Sequence, residues 1–195
     1  MTMRLGFLAS YNGSSMQAIL RAIDTGRLAA EAAVAISNNP DAGALSAAKQ
    51  AGIPAFCLNA KRCGGDAAVD GEIVRVLQAH QVDYVVLSGY MKRIGKRTLE
   101  QFPQRILNVH PSLLPAFGGP GMYGMRVHTA VLESGATETG ATVHLVDELY
   151  DNGRILAQTR VPVLPSDTPD SLRMRVAATE GELYIQVLQQ LIQAP

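Results

Sequence analysis

The sequence predicts an α/β fold with three layers, in which an open and mostly parallel sheet lies between two layers of helices. Short apolar runs, each long enough for one buried strand, alternate with stretches of helical periodicity. Glycines stand directly after the first two helical stretches, where a left-handed residue commonly ends a helix. Hydrophobic residues make up 47% of the chain and charged residues 17%, which favours a packed core over disorder.

The elements follow in order from these patterns. Residues 4–9 form the first apolar run, and Met16, Ile19 and Ile23 then recur at helical spacing. The predicted strands are residues 4–9, 33–37, 55–58, 83–87, 105–110, 139–146 and 155–163. The predicted helices are residues 14–25, 42–51, 66–80, 96–102, 128–134 and 168–191. With no internal repeat and no change of composition, residues 1–195 are expected to form one domain.

Charge and cysteine content narrow the function classes. Lys+Arg and Asp+Glu both total 17, so the chain lacks the basic excess that nucleic acids or anionic membranes attract. Cys57 and Cys63 match no metal or redox spacing and are expected to be reduced thiols. The first apolar run is too short for a signal peptide or a membrane span. We therefore expect a cytoplasmic monomer or homodimer that acts on small molecules.

A first candidate site lies between the first strand and the first helix. Asn12, Gly13, Ser14 and Ser15 occupy this turn. The N-terminus of a helix offers unpaired N–H groups and a partial positive charge, so it binds phosphate without a lysine. Gly13 permits the turn, and the two serines add hydroxyl donors. The alternative is that Ser14 is only an N-cap.

A second candidate site lies at the carboxyl end of the strand at 105–110. Strand alternation places Ile106, Asn108 and His110 on one face. A buried amide and imidazole are costly unless they find partners. The loop that follows, residues 111–126, contains three prolines and four glycines, and shaped loops of this length are usually functional.

Residues 106–115, Ile-Leu-Asn-Val-His-Pro-Ser-Leu-Leu-Pro, resemble the signature of the folate-dependent formyltransferase family. Further similarity is found at residues 12–14, 89–92 and 140–148, and it extends over nearly the whole chain. The resemblance implies a Rossmann-like formyltransferase fold. It also implies that 10-formyltetrahydrofolate is the co-substrate, without a metal.

The resemblance assigns the chemistry to three residues. An amine attacks the formyl carbon and creates an oxyanion, which an amide and a protonated imidazole can stabilise. Asn108 is expected to be the oxyanion donor, and His110 the cationic donor and proton carrier. Asp151 is expected to hold His110 in its charged form.

The resemblance also suggests binding roles for residues outside this trio. Glu180 matches the position that contacts the substrate ribose, although a plain surface glutamate is the alternative, and His144 is expected to support the catalytic residues from behind. The folate-binding residues are expected to be Met91, Lys92, Arg93, Ile94, Val146 and Asp147. A direct role for His128 and a metal bound by His110, His128 and His144 stay open, although the spacings match no ligand motif.

The family likeness implies formyl transfer to the glycinamide amine of a phosphoribosylated acceptor, a step of purine synthesis. Four positions depart from the family pattern: Tyr11 replaces a glycine, Ser15 an asparagine, Asp66 an arginine and Gly181 a histidine. The altered phosphate loop leaves open a different phosphorylated amine, such as an amino-sugar nucleotide. A non-catalytic phosphate- or folate-binding module is the third hypothesis.

Overall fold

A computed structural model describes residues 2–193. The strands are β1 Met3–Ala9, β2 Ala30–Ser37, β3 Ala55–Cys57, β4 Tyr84–Leu87, β5 Ile106–His110, β6 Glu138–Leu145 and β7 Ile155–Pro162. The helices are α1 Ser14–Asp24, α2 Gly43–Gln50, α3 Ala60–Cys63, α4 Asp66–Ala79, α5 Lys96–Gln101, α6 Met125–Glu133 and α7 Pro169–Gln193. In the described part of the chain, no helix is both long and apolar enough to cross a membrane.

All seven strands join one sheet in the order β3-β2-β1-β4-β5-β6-β7. The first five in this order pair in parallel, whereas β6 and β7 pair antiparallel. Alternate strand residues bury opposite faces of the sheet. Phe7 and Leu107 pack with α1 and α7 on one face, and Leu8 and Ile106 pack with α4 on the other. The predicted mostly parallel sheet between two helical layers is confirmed.

Three local predictions were wrong. β2 begins at Ala30 rather than at residue 33, because its first residues pair with β1, a partner that the alanine-rich sequence does not reveal. α6 begins at Met125 rather than at His128, directly after Gly124, whose φ of 56° ends the preceding loop. The predicted loop 59–65 contains α3, because the Asn59 side chain accepts a hydrogen bond from the Arg62 N–H at 3.0 Å and caps this turn.

The parallel arrangement brings the carboxyl ends of β1, β4 and β5 to the same edge of the sheet. There the Ser10 N–H donates to the Gly89 carbonyl at 3.1 Å, and the Met91 N–H donates to Ser10 Oγ at 2.8 Å. The loop after β1 is therefore fixed to the loop after β4. In open α/β sheets ligands bind at this edge, so the candidate site is expected there.

Candidate active site

Asn108 and His144 face each other across β5 and β6. The antiparallel register pairs the two residues directly, and Asn108 Nδ2 lies 3.1 Å from His144 Nε2. The other ring nitrogen of His144, Nδ1, donates to the Leu145 carbonyl at 2.8 Å. His144 Nε2 can therefore accept from Asn108 when the ring is neutral, or donate to a carboxylate when it is protonated. Either contact restrains the Asn108 amide.

Asp151 reaches both histidines from the turn between β6 and β7. Its Oδ2 lies 3.4 Å from His110 Nδ1, and its Oδ1 lies 3.6 Å from His144 Nε2. The Gly119 N–H also donates to Oδ2 at 2.9 Å. Asp151 has a φ of 53°, a left-handed conformation that aspartate tolerates better than most residues. The structure thus brings together Asn108, His110 and Asp151, together with His144.

The second ring nitrogen of His110 has a partner of its own. His110 Nε2 donates to the Phe117 carbonyl at 2.8 Å. Phe117 belongs to the loop after β5 and has a φ of 55°, which is uncommon for a bulky residue. Because Nε2 carries the proton that Phe117 accepts, Nδ1 is the nitrogen that faces Asp151 and is free to take part in proton transfer.

The pKa values of both His110 and Asp151 lie below their ordinary values. Burial lowers the pKa of His110, and the opposing effects of Asp151 and the Phe117 carbonyl do not offset it. For Asp151, burial raises the pKa, but the contacts with His144 and His110 and the Gly119 N–H together bring it below its ordinary value. These directions favour a carboxylate beside a neutral imidazole as the resting pair at neutral pH. The expectation that Asp151 holds His110 in its charged form stays a prediction, because desolvation of the buried ring opposes that form while Asp151 and the Phe117 carbonyl favour it.

The turn before α1 has the geometry of an anion site. Gly13 is the N-cap residue with a φ of 62°, and no side chain caps this helix. Ser14 is the first helical residue, so the alternative that Ser14 is an N-cap is wrong. Ser88 Oγ accepts the Met16 N–H at 3.0 Å. Within residues 2–193 the N–H groups of Ser14 and Ser15 donate to no protein acceptor and can meet an anion.

Asn12 completes this turn, and Gly43 makes room for it. A Cβ atom on Gly43 would lie 2.6 Å from Asn12 Oδ1. The Asn12 carbonyl accepts the side-chain amide of Gln17 at 2.7 Å. Tyr11, which departs from the family pattern, points outward with 64% of its surface exposed. The bulk of Tyr11 therefore does not fill the turn.

The two segments expected to bind folate lie side by side. Arg93 donates to the Glu148 carbonyl at 3.0 Å, and its guanidinium lies 5.9 Å from the centre of the Tyr150 ring. Met91, Lys92 and Arg93 are exposed, whereas Ile94 is buried. Val146 is half-buried, and exposed Asp147 accepts the Leu149 N–H at 2.9 Å. A cavity of about 380 Å³ lies beside Val146 and Asp147.

Glu180 and His128 are less exposed than the simplest sequence interpretation suggests. Glu180 is half-buried, and burial raises its pKa to about 7. His128 is buried within α6, and its Nδ1 has no hydrogen-bond partner. Burial lowers the pKa of His128 to about 4, and the charges of Arg173 and His110 act in the same direction. No group of three or more His, Cys, Asp or Glu side chains in residues 2–193 is arranged to hold a metal ion.

Residues 3–188 match the family model described as formyl transferase. The chain belongs to the formyl transferase family. It is 44% identical over 186 residues to a chloroplastic phosphoribosylglycinamide formyltransferase of Arabidopsis thaliana, covering 95% of this chain and 64% of that relative. The Escherichia coli phosphoribosylglycinamide formyltransferase is 35% identical over 93% of this chain and 84% of its own length. The chain thus spans less than two thirds of the Arabidopsis relative but most of the bacterial one.

The fold is also that of solved structures in this formyl transferase group. Glycinamide ribonucleotide transformylase 1 from Symbiobacterium toebii superposes with a TM-score of 0.91 at 39% identity. The superposition covers 97% of this chain and 87% of that one. The seven-stranded, mostly parallel sheet is therefore an arrangement that this family member shares with its relatives.

Several residues of the site were not predicted from the sequence. Phe117 and Gly119 contribute backbone groups, which carry no signal in the side-chain pattern beyond the glycine-rich character of their loop. Gly43 follows Ala42 at the start of α2, and nothing in the local sequence indicates that it faces Asn12. Ser88 stands directly after β4, where a hydroxyl at the ligand-binding edge of a sheet could have been suspected.

Proposed function

We propose that this chain transfers the formyl group of 10-formyltetrahydrofolate to the amine of phosphoribosylglycinamide, a step of purine synthesis. One observation carries the proposal. Asn108, His110 Nδ1 and Asp151 converge in the carboxyl half of β5, at the edge of the sheet where the α1 N-terminus and the segment 91–94 also lie. Relatives named as phosphoribosylglycinamide formyltransferases cover most of the chain and support the same reaction.

The acceptor is oriented from its phosphate. The N–H groups and hydroxyls of Ser14 and Ser15 bind the phosphate, since the helix dipole adds a favourable field there. Asn12 and Gly13 shape the turn. The half-buried carboxyl group of Glu180 accepts hydrogen bonds from the ribose hydroxyls, which replace the water that burial removes. The glycinamide amine then points toward β5.

The folate extends from the segment 91–94 at this edge to Val146 and Asp147, which adjoin the amino end of β5. Apolar contacts with Met91, Ile94 and Val146 hold the pterin end, and backbone groups of the loop with Asp147 bind its polar edge. Lys92 and Arg93 are exposed cations and attract the anionic glutamate tail. Because Arg93 also binds the Glu148 carbonyl, this arginine keeps the two folate-binding segments together.

The chemistry follows from the resting protonation state. The amine nitrogen attacks the formyl carbon, and the Asn108 amide donates to the oxygen as it becomes an oxyanion. Neutral His110 takes the amine proton at Nδ1, directly or through a water. The imidazolium that forms is stabilised by Asp151, so the favourable charge pair arises only during the reaction. The proton then passes to the folate nitrogen as its bond to the formyl carbon breaks, which leaves tetrahydrofolate and the formylated amide.

A second acceptor class is favoured by one feature of the structure. Ser15 and Gly181, two departures from the family pattern, line one groove next to the phosphate turn. A different phosphorylated amine, such as an amino-sugar nucleotide, is the alternative acceptor for the same chemistry. A cytoplasmic location and a monomeric or homodimeric state stay predictions of the sequence, alongside the absence of a metal.

The formation of tetrahydrofolate from 10-formyltetrahydrofolate tests the reaction, measured with and without glycinamide ribonucleotide. We expect tetrahydrofolate to form only when the acceptor is present. Formation with an amino-sugar nucleotide alone would favour the alternative acceptor. Folate binding without turnover on either amine would identify a non-catalytic module and contradict the proposal.

A further inference from the structure

The loop after β5 contacts His110 and Asp151 through its backbone. The Phe117 carbonyl accepts a hydrogen bond from His110 Nε2 at 2.8 Å, and the Gly119 N–H donates to Asp151 Oδ2 at 2.9 Å. Gly118 lies between these two residues in the chain. A change in the path of this short segment therefore reaches both members of the pair at once.

Gly118 has no room for a side chain. A Cβ atom added there would lie 3.3 Å from the Asp151 Cβ and 3.5 Å from the Pro115 carbonyl oxygen, and it would overlap the Leu114 side chain. The φ of Gly118 lies outside the left-handed region, so the backbone itself would accept alanine. The cost of a side chain at this position therefore comes from its neighbours and not from backbone strain.

Hydrogen bonds to the sheet hold the loop beside Gly118. The Leu114 N–H donates to Thr142 Oγ1 at 3.0 Å, and the Leu114 carbonyl accepts the side-chain amide of Gln158 at 2.9 Å. Asp151 instead belongs to a turn in which the four preceding residues are exposed. A methyl group on Gly118 would therefore displace Asp151 more readily than the loop, by a few tenths of an ångström.

We propose that Gly118 is a positioning residue, whose missing side chain lets the segment 117–119 close on Asp151 and hold this carboxylate beside His110 Nδ1. Gly118 acts through Asp151 rather than on the substrate. The attraction between a carboxylate and an imidazolium falls as their separation grows, and Asp151 Oδ2 lies 3.4 Å from Nδ1. The inference rests on the proposed function, because it concerns the pair proposed to transfer the proton.

Gly118→Ala tests the proposal in the full chain. We expect kcat to fall about tenfold and KM for each substrate to stay nearly unchanged, since small misplacements of a catalytic group cost rate. In the Asp151→Asn background, Gly118→Ala should have little further effect, because the carboxylate that it displaces is already absent. Leu114→Val added to Gly118→Ala relieves the overlap with the Leu114 side chain, and the loss of rate should remain. Recovery of the rate in this double variant, or additive losses with Asp151→Asn, would overturn the proposal.

NMR titration of the His110 ring without substrates separates this inference from the proposed reaction. We expect a lower pKa for His110 in Gly118→Ala than in the wild type and a still lower one in Asp151→Asn, because Asp151 favours the imidazolium. His144 and His128, whose charges also act within this cluster, are unaltered in each variant. A variant that only loosens the fold would unfold at lower urea concentration while the His110 pKa of the folded chain stays unchanged, and this result would overturn the proposal.

Gly71→Ala is the matched control. Gly71 lies within α4 with a φ outside the left-handed region, and the atom nearest to an added Cβ is the end of the flexible Arg97 side chain, at 3.2 Å. The rate and the His110 pKa should be those of the wild type in this variant. Wild-type values of both in Gly118→Ala would overturn the proposal. A lowered His110 pKa in a chain inactive in formyl transfer would support the positioning role and contradict the proposed reaction.

Discussion

Asp151 Oδ2 lies 3.4 Å from His110 Nδ1, while His110 Nε2 donates to the Phe117 carbonyl at 2.8 Å. Each contact involves a different nitrogen of the imidazole ring. Nε2 anchors the imidazole to the loop, and Nδ1 is left to exchange a proton beside a carboxylate. Burial lowers the pKa of His110 and so favours the neutral imidazole at rest, whereas the Asp151 carboxylate favours the imidazolium that forms when a proton arrives.

Removal of either member of this pair is expected to lower turnover while substrate binding is retained. His110→Ala removes the proton acceptor, and Asp151→Asn removes the charge that stabilises the imidazolium. General acid–base catalysis and electrostatic stabilisation of the transition state each raise the rate roughly a hundredfold to ten-thousandfold. Turnover and the affinity for each substrate should be measured for both variants. Glu133→Gln, which removes an exposed carboxylate at the end of α6, is the control, and near-normal turnover in His110→Ala or Asp151→Asn contradicts the assignment.

The pH dependence of the reaction tests the protonation state. The proposed reaction requires neutral His110, and burial holds the pKa of His110 below its ordinary value of 6.5. We therefore expect kcat/KM to be level above about pH 6.5 and to fall on acidification. Because Asp151 raises the pKa of His110, Asp151→Asn should move this acid limb to lower pH and lower the plateau. An acid limb that moves to higher pH in this variant would contradict the assignment.

The phosphate turn can be tested at Gly13. Gly13 has a φ of 62°, which residues with a Cβ atom rarely adopt, and a Cβ atom added there would lie 3.0 Å from the Ala44 Cβ. We expect Gly13→Ala to weaken acceptor binding at least tenfold, which is about 1.4 kcal/mol, and to leave folate binding intact. Gly26→Ala is the control, since Gly26 also has a positive φ of 72° but faces open space at the other end of α1. Equal loss in both variants would indicate a folding defect.

His128 should make the folded state sensitive to acid. Its pKa is about 4 in the folded protein and about 6.5 when unfolded, so the folded state binds fewer protons between these values. Stability is full above about pH 6.5 and is lost as the pH falls toward 4, by on the order of 2 kcal/mol. His128→Leu should flatten this dependence, as measured by urea unfolding at several pH values. An unchanged slope would show that other groups cause it.

Asp66 should weaken the binding of the folate tail. Asp66 lies exposed in the first turn of α4, where its negative charge interacts favourably with the helix dipole. The pKa of Tyr90 is raised to about 12, mainly by burial, then by the charge of Asp70 and least by that of Asp66. We expect Asp66→Arg to strengthen folate binding several-fold at low salt and less at high salt, since each exposed charge is worth about 1 kcal/mol or less. Asp66→Asn should give about half of this free-energy change. Equal affinities in all three forms would place the tail elsewhere.

Much of the fold could be predicted because its signals are local. The apolar runs and the helical spacing after them identified each strand of the sheet, and the antiparallel addition of β6 and β7 keeps the sheet mostly parallel. The predicted bounds were wrong where strand pairing or helix capping decides where an element begins. The start of β2 depends on β1, and α3 depends on one hydrogen bond from Asn59.

The sequence by itself determined the order of the elements, the polar residues at the carboxyl end of β5 and the turn before α1. The family resemblance suggested the pairing of Asp151 with His110, and the tertiary structure supplied its geometry across 41 positions. Only the tertiary structure decided that the Phe117 carbonyl accepts from one nitrogen of the ring and that a groove opens beside Ser15. Periodicity reports which face of an element is buried, because it depends on neighbours in the chain. The desolvation that lowers the pKa of His110 depends on everything packed around the ring, and no local pattern contains that information.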